Sequence, residues 1–75
     1  MSEEEMNNQI SALAHSLIHI CHGCSEGQRK TVAAHCIREG YYDLNELRYL
    51  DTQTLQSFGF RSGDVTRLQR QGIIF

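Results

Sequence analysis

Apolar residues recur at helical spacing along most of the chain, and helix-capping residues separate the apolar stretches. The longest stretch predicts a first helix near residues 3–22, with one apolar stripe formed by Met6, Ile10, Leu13, Leu17 and Cys21. A second helix is predicted near 26–39 and a third near 44–50. Because no alternating strand pattern of useful length occurs, the sequence predicts an all-α fold.

Capping signals support this division of the chain. Three pairs have capping-box spacing: Ser2 with Glu5, Ser25 with Gln28, and Asp43 with Glu46. Glycines stand near the expected helix ends, at Gly23, Gly40, Gly59 and Gly72. We therefore expect about five short helices in one compact single-domain bundle that spans residues 1–75.

The region 43–71 is predicted to form a helix-turn-helix-like hairpin. Asp51 can cap one helix, and Gly59 can end it. Ser62 can then cap a last helix, which Gly72 ends. Two short helices joined by a turn that contains glycine are typical of helical hairpins that bind a partner. The apolar positions of the hairpin are Leu55, Phe58, Val65 and Leu68.

The polar face of the last helix is the main candidate binding surface. If Val65 and Leu68 face inward, most of the polar residues nearby face outward. Arginine and glutamine are side chains that read base edges, and arginine also holds phosphates. Exposed arginines also serve simply to keep a helix soluble. The candidate binding residues are Arg61, Thr66, Arg67, Gln69, Arg70 and Gln71.

The apolar tail, residues 72–75, allows two interpretations. It can be a flap that closes the small core, or an exposed hook for a partner or for a second copy of the chain. The second interpretation adds Ile74 and Phe75 to the candidate binding residues and allows a homo-oligomer.

Charge and cysteine content narrow the choice of partner and compartment. The net charge is −2, and residues 1–24 have three acidic and no basic residues, against six acidic and seven basic residues in 25–75. A basic footprint for nucleic acid over the whole chain is therefore missing. The acidic start differs from the positively charged start of a signal peptide, and no apolar run reaches membrane-spanning length. Three cysteines are an odd number, which fits reduced thiols better than a framework of disulfides. We expect a cytoplasmic protein without membrane contacts.

Cysteine and histidine cluster in the first half of the chain. Cys21 and Cys24 have the C-x-x-C spacing found in zinc sites, and His35 or Cys36 could add ligands. The alternative is that these are small buried thiols, since His35 and Cys36 are adjacent on a helix and point in different directions. We expect no cofactor, and keep a zinc-stabilised domain as an alternative.

Three further histidines, His15, His19 and His22, are predicted to share the face of the first helix opposite its apolar stripe. A solvated polar stripe, adventitious metal capture and a pH-sensitive interface are the interpretations open for them.

The run LNELRYLDTQTLQSFGFRSGDVTRLQR, residues 44–70, resembles two known families. Glu46, Leu47, Leu50, Asp51, Leu55, Gly59, Phe60, Ser62, Asp64 and Val65 match the pattern of the small bacterial YjiS-like family. That resemblance implies a role in RNA-linked regulation. The segment EGYYDLNELRYLDTQTLQSFGFRSGDVTRL is also similar to the second half of a sterile-alpha-motif domain, which implies a five-helix module for protein interaction and self-association.

The sequence contains no recognisable nucleophile or phosphate-loop motif, so we expect a protein that is not an enzyme. The leading hypothesis is a small non-catalytic regulator, adaptor or inhibitor that acts through protein–protein contacts, as many small phage proteins do against bacterial machinery. The alternative is nucleic-acid binding by the 51–71 hairpin, either to DNA as a helix-turn-helix or to RNA.

Overall fold

The computed structural model describes residues 2–74 and shows an all-α bundle, as the apolar spacing predicts. Four α-helices are joined by turns, and two segments adopt the tighter 3₁₀ conformation. The elements are α1 (Glu3–Ser16), a 3₁₀ turn (Leu17–His19), α2 (Glu26–Arg38), a 3₁₀ helix (Leu44–Tyr49), α3 (Thr52–Ser57) and α4 (Ser62–Arg70). In this part of the chain no strand occurs, and no helix is long and apolar enough to cross a membrane.

Most of the predicted helix starts are confirmed. The Ser25 hydroxyl accepts the N–H of Gln28 at 3.2 Å, and the Gln28 side chain accepts the N–H of Ser25 at 2.8 Å. The Asp51 carboxylate accepts the N–H of Thr54 at 2.7 Å. Each contact satisfies an N–H that the first turn of a helix leaves free.

The predicted cap of the last helix is wrong by one residue. Ser62 is the first residue of α4, and Arg61 occupies the N-cap position. The cap contact runs from the Arg61 N–H to the carboxylate of Asp64, at 2.8 Å. An acid in the third helical position thus accepts the N–H of the N-cap residue, which is one half of a capping box.

The first helix is shorter than the predicted 3–22, because its regular hydrogen bonding stops at Ser16. The chain then tightens into the 3₁₀ turn, and Gly23 takes a left-handed φ of 77° before α2 begins. The second helix ends at Arg38, close to the predicted 39. The third predicted helix is present, but as the 3₁₀ helix Leu44–Tyr49.

The core confirms most of the predicted apolar stripes. On the first stripe Leu13, Leu17 and Cys21 are buried, while Met6 and Ile10 pack only partly against the core. The predicted face of α2 is buried throughout. The buried core residues of the later elements include Val32, Ala33, Cys36, Ile37, Leu47, Leu55, Phe60, Val65 and Leu68.

Ile73 and Ile74 of the tail pack on this core. Ile74 is only 7% exposed and belongs to the core cluster, with Ile73 packed partly against it. The flap interpretation is therefore confirmed for Ile74, and the prediction that Ile74 is an exposed partner-binding residue is wrong. The physical reason is that a small core gains more from covering its open end than from leaving an isoleucine in water. Phe75 lies outside the described residues.

The turn between α3 and α4 lies against α2. Gly59, between the two helices, has a φ of 110°, and a Cβ atom added there would stand 3.0 Å from Cγ2 of Val32. The predicted hairpin is thus present, and glycine is needed in its turn both for the backbone angle and for the close approach to α2.

Candidate functional site

The predicted binding face of α4 contains a buried acid. Asp64 is 1% exposed, and its carboxylate accepts hydrogen bonds from two guanidinium groups. The Arg61 Nη2 atom lies 3.0 Å from Oδ1 of Asp64, and the Arg67 Nη2 atom lies 2.8 Å from the same oxygen. Because a carboxylate in the core must be paired, both arginines are committed to Asp64.

The same arginines reach across to the end of the first helical segment. The Arg67 Nε donates to the carbonyl oxygen of Ile20 at 2.5 Å, and Arg61 donates to the carbonyl oxygen of His22. The Gln71 amide donates to the carbonyl oxygen of His19 at 3.2 Å. These carbonyls lie at a helix end, where helical partners are missing, so the α4 side chains cap the first segment.

The outward orientation predicted for these side chains is confirmed for Arg61 and Gln71, which are exposed, and only in part for Arg67. The three side chains connect α4 to residues 19–22 of the same chain. Arg67 is correspondingly only partly exposed, with 28% of its side chain accessible. Thr66, Gln69 and Arg70 also face solvent, although the Thr66 hydroxyl bonds back to the carbonyl of Ser62 at 3.1 Å.

The charges in this cluster explain the ionisation of Asp64. Burial alone would raise the pKa of the carboxyl, but hydrogen bonds from Arg61 and Arg67 outweigh burial and hold the pKa below its ordinary value. The same pairing raises the pKa of Arg61. The cluster is therefore a charged unit at neutral pH, one acid between two bases.

A basic cleft of about 510 Å³ lies beside this cluster. It is lined by Arg67, Arg70 and Gln71 of the α4 region and by His19 and His22 of the preceding segment. The three histidines expected to form a stripe are exposed but line two different clefts, since His15 lines a separate cleft with Ile18 and Lys30. The end of α1 at Ser16 separates them.

A second cleft of about 460 Å³ lies between α2, the turn before it and the α3–α4 turn. Cys21, Cys24 and His35 are among its lining residues, and the buried Cys36 is not. Burial raises the pKa of Cys21 to about 12, with the charge of Asp64 adding to the effect, and burial also raises the pKa of Cys36 to about 12.

These positions bear directly on the zinc alternative. Among residues 2–74, no group of three or more histidine, cysteine, aspartate or glutamate side chains converges closely enough to hold a metal ion. A structural zinc site needs four such ligands, with its cysteines deprotonated. The predicted set of Cys21, Cys24, His35 and Cys36 therefore lacks the required geometry.

Among residues 2–74, the most exposed large apolar side chains lie elsewhere, in the segment 41–49, which we call the tyrosine segment. Tyr49 is 74% exposed and Tyr42 is 47% exposed. The Arg48 guanidinium carbon lies 5.5 Å from the centre of the Tyr49 ring. None of these three residues is a sequence candidate, because helical apolar spacing selects only the leucines of the third helix. The tyrosines stand outside that leucine spacing, and this is the signal that could have identified them.

The tyrosine segment is held firmly in place. Leu47 is fully buried, and Leu44 and Leu50 pack against the core. The Glu46 carboxylate accepts the N–H groups of both Tyr42 and Asp43, each at 3.2 Å. The segment therefore presents its exposed rings from a backbone that is fixed on both sides.

Comparisons of the chain with family models, with curated proteins and with solved structures gave no match.

Proposed function

We propose that this protein is a small non-catalytic regulator that works in the cytoplasm as an adaptor or an inhibitor. It acts through protein–protein contacts centred on the tyrosine segment. The observation that carries the proposal is the exposure of Tyr49 and Tyr42 beside Arg48. Tyrosine and arginine are the residue types that most often dominate the binding energy of protein interfaces.

The fixed backbone of the segment supports the same function. A partner that binds a flexible loop must order it, and the free energy of that ordering reduces the affinity. Here Leu47 and the hydrogen bonds to Glu46 have already ordered the segment. A tyrosine ring also has few rotatable bonds, so a partner gains a large contact area at a small entropic cost.

The chemistry of the two buried thiols favours a non-catalytic role. The pKa of about 12 keeps Cys21 and Cys36 mostly protonated near neutral pH, so neither thiol is suited to be the group that first attacks a substrate. The Asp64 carboxylate is paired with two arginines, so it is not free to accept a proton from a substrate as a general base.

Affinity capture from the source organism tests this function. Tagged wild-type protein, Tyr49→Ala and Tyr42→Ala are compared after nuclease treatment, with Ile18→Ala as a matched control because Ile18 is also a large exposed apolar residue, at 41%. We expect a protein partner that both tyrosine variants bind at least about thirtyfold more weakly, as for a hot spot of ~2 kcal/mol.

The control is expected to retain wild-type affinity for that partner. If no protein is captured, or if the captured protein binds the tyrosine variants as tightly as wild type, the proposal is wrong.

Nucleic-acid binding is a second candidate function, and the basic cleft favours it. Arg70 is exposed there, next to His19 and His22. Since Arg61 and Arg67 already pair with Asp64, Arg70 is the arginine of α4 best able to contact a phosphate.

Fluorescence anisotropy with labelled DNA and RNA at low salt tests this second candidate. We expect binding that Arg70→Ala weakens and that falls with added salt. Arg38→Ala, an exposed arginine of α2, is the matched control, and absence of binding to either nucleic acid rejects this candidate.

A further inference from the structure

Cys21 and Cys24 stand at the two ends of one tight turn. The Cys24 N–H donates to the Cys21 carbonyl at 3.4 Å, and Gly23 has the φ of 77° that the third residue of a type II turn adopts. The ends of such a turn lie less than about 7 Å apart between Cα atoms. A disulfide spans Cα separations of about 4.4–6.8 Å, so the turn brings the two cysteines into the range of a covalent bond.

The two thiols also share one cleft and differ in access. Both side chains line the 460 Å³ cleft, where Cys24 is partly exposed and Cys21 is only 2% exposed. Cys36 is fully buried on α2 and does not line the cleft. A reagent from solvent therefore reaches Cys24 before Cys21.

The surroundings of Cys24 favour an anionic reagent. The Arg29 Nη1 donates to the Cys24 carbonyl at 2.7 Å, and both Arg29 and Arg61 line the cleft. The Arg29 Nε has no hydrogen-bond partner among residues 2–74. Small peptide disulfides such as oxidised glutathione carry carboxylates that can pair with guanidinium groups.

We propose that Cys21 and Cys24 form a thiol–disulfide exchange site whose substrate is a low-molecular-weight anionic disulfide of the glutathione type. The Cys24 thiolate attacks one sulfur of the disulfide, the S–S bond breaks, and one glutathione thiolate leaves. The Cys21 thiolate then attacks the Cys24 sulfur and displaces the second glutathione thiolate. The two protein thiols are oxidised to one disulfide, one disulfide is reduced to two thiols, and the two protons pass from the cysteines to glutathione.

The burial of Cys21 determines which product appears first, the mixed disulfide on Cys24 or the internal disulfide. Because the pKa of Cys21 is raised to about 12, its thiolate is scarce at neutral pH, and the second step is slower than the first. A mixed disulfide on Cys24 is therefore expected to accumulate before the internal disulfide forms.

Mass spectrometry of the full chain tests the proposal. Folded protein is incubated with oxidised glutathione, quenched with acid at intervals, alkylated after denaturation and digested with trypsin. Trypsin places Cys21 and Cys24 together in the peptide 1–29 and Cys36 in the peptide 31–38. We expect the first peptide to exchange one thiol hydrogen for a glutathionyl group and later to lose that group together with the second thiol hydrogen, while Cys36 stays fully alkylated. The number of alkylated thiols thus falls from three to one.

Two variants locate the chemistry. Cys24→Ser changes a partly exposed side chain and leaves the core intact, and it should abolish both products. Cys36→Ala should leave both unchanged, with far-UV circular dichroism confirming the fold. Absence of glutathione on the wild-type peptide 1–29, a mixed disulfide that never resolves, or a bond between the two peptides would each overturn the proposal.

Discussion

The carboxylate of Asp64 is buried between the guanidinium groups of Arg61 and Arg67. It also accepts the N–H of Arg61 that begins α4. One residue thus caps a helix and holds the two arginines that reach residues 20–22.

At the residue scale, Asp64→Asn is predicted to destabilise the fold by about 1.5–3 kcal/mol, the range for hydrogen bonds to a charged group. We expect a destabilisation at the lower end of this range, because the Arg61 side chain is 51% exposed and stays solvated without its partner. Urea unfolding measures the change. Asp51→Asn is the matched control, since asparagine caps a helix about as well as aspartate, and its effect should stay below about 0.5 kcal/mol. Equal effects of the two substitutions would contradict the central role of Asp64.

At the scale of elements, the turn between α3 and α4 depends on the missing side chain of Gly59. Gly59→Ala combines a left-handed φ with a contact of 3.0 Å to Val32. Gly40→Ala, at a φ of 91°, meets nothing within 4 Å and is the matched control for backbone strain. Backbone strain should lower the free energy of unfolding of each variant by about 1–2 kcal/mol. Crowding against Val32 should lower that of Gly59→Ala by about 1 kcal/mol more. Thermal unfolding of both variants measures the difference, and a similar loss in both would mean that Val32 moves aside freely.

Some elements could be predicted from the sequence because their causes are local. The start of α2 follows from Ser25 and Gln28, three residues apart, and its buried face follows from helical periodicity. The end of α1 could not be predicted. The carbonyls at 20 and 22 are satisfied by Arg67 and Arg61, which lie 47 and 39 residues later in the chain.

The same limit applies to the candidate site. Arg61 and Arg67 on a polar face look identical to free arginines until the burial of Asp64 is known, and an isolated aspartate near a helix start is normally exposed. Tyr49 is the opposite case, because its exposure depends only on how the 3₁₀ helix Leu44–Tyr49 turns its leucines inward.

At the scale of the whole molecule, the chain is compact, with a radius of gyration of 11.3 Å, close to the value of about 11 Å that a folded chain of this length has. Its helices form two pairs, α1 with α2 and α3 with α4. The contacts of Arg61 and Arg67 with residues 20–22, and of Gly59 with Val32, join the two pairs. Loss of the Asp64 charge should therefore loosen the packing of one pair on the other.

The stability of the molecule is predicted to fall in acid for this reason. The pKa of Asp64 is lower in the folded state than in the unfolded state, so its contribution is complete above the unfolded value of about 4 and is lost as the pH falls through the lower folded value. Urea unfolding between about pH 7 and about pH 2 should show a steeper decline below pH ~4 for wild type than for Asp64→Asn. Parallel curves would show that other groups control acid unfolding.

The exposed tyrosine segment has an optical consequence. The chain has three tyrosines and no tryptophan, and all three tyrosines, Tyr41, Tyr42 and Tyr49, lie within the nine residues 41–49. The near-ultraviolet absorbance and the intrinsic fluorescence of the protein therefore come mainly from one small region of its surface. A molecule that covers this region changes the emission of the unlabelled protein, whereas one that binds the basic cleft leaves that emission largely unaltered.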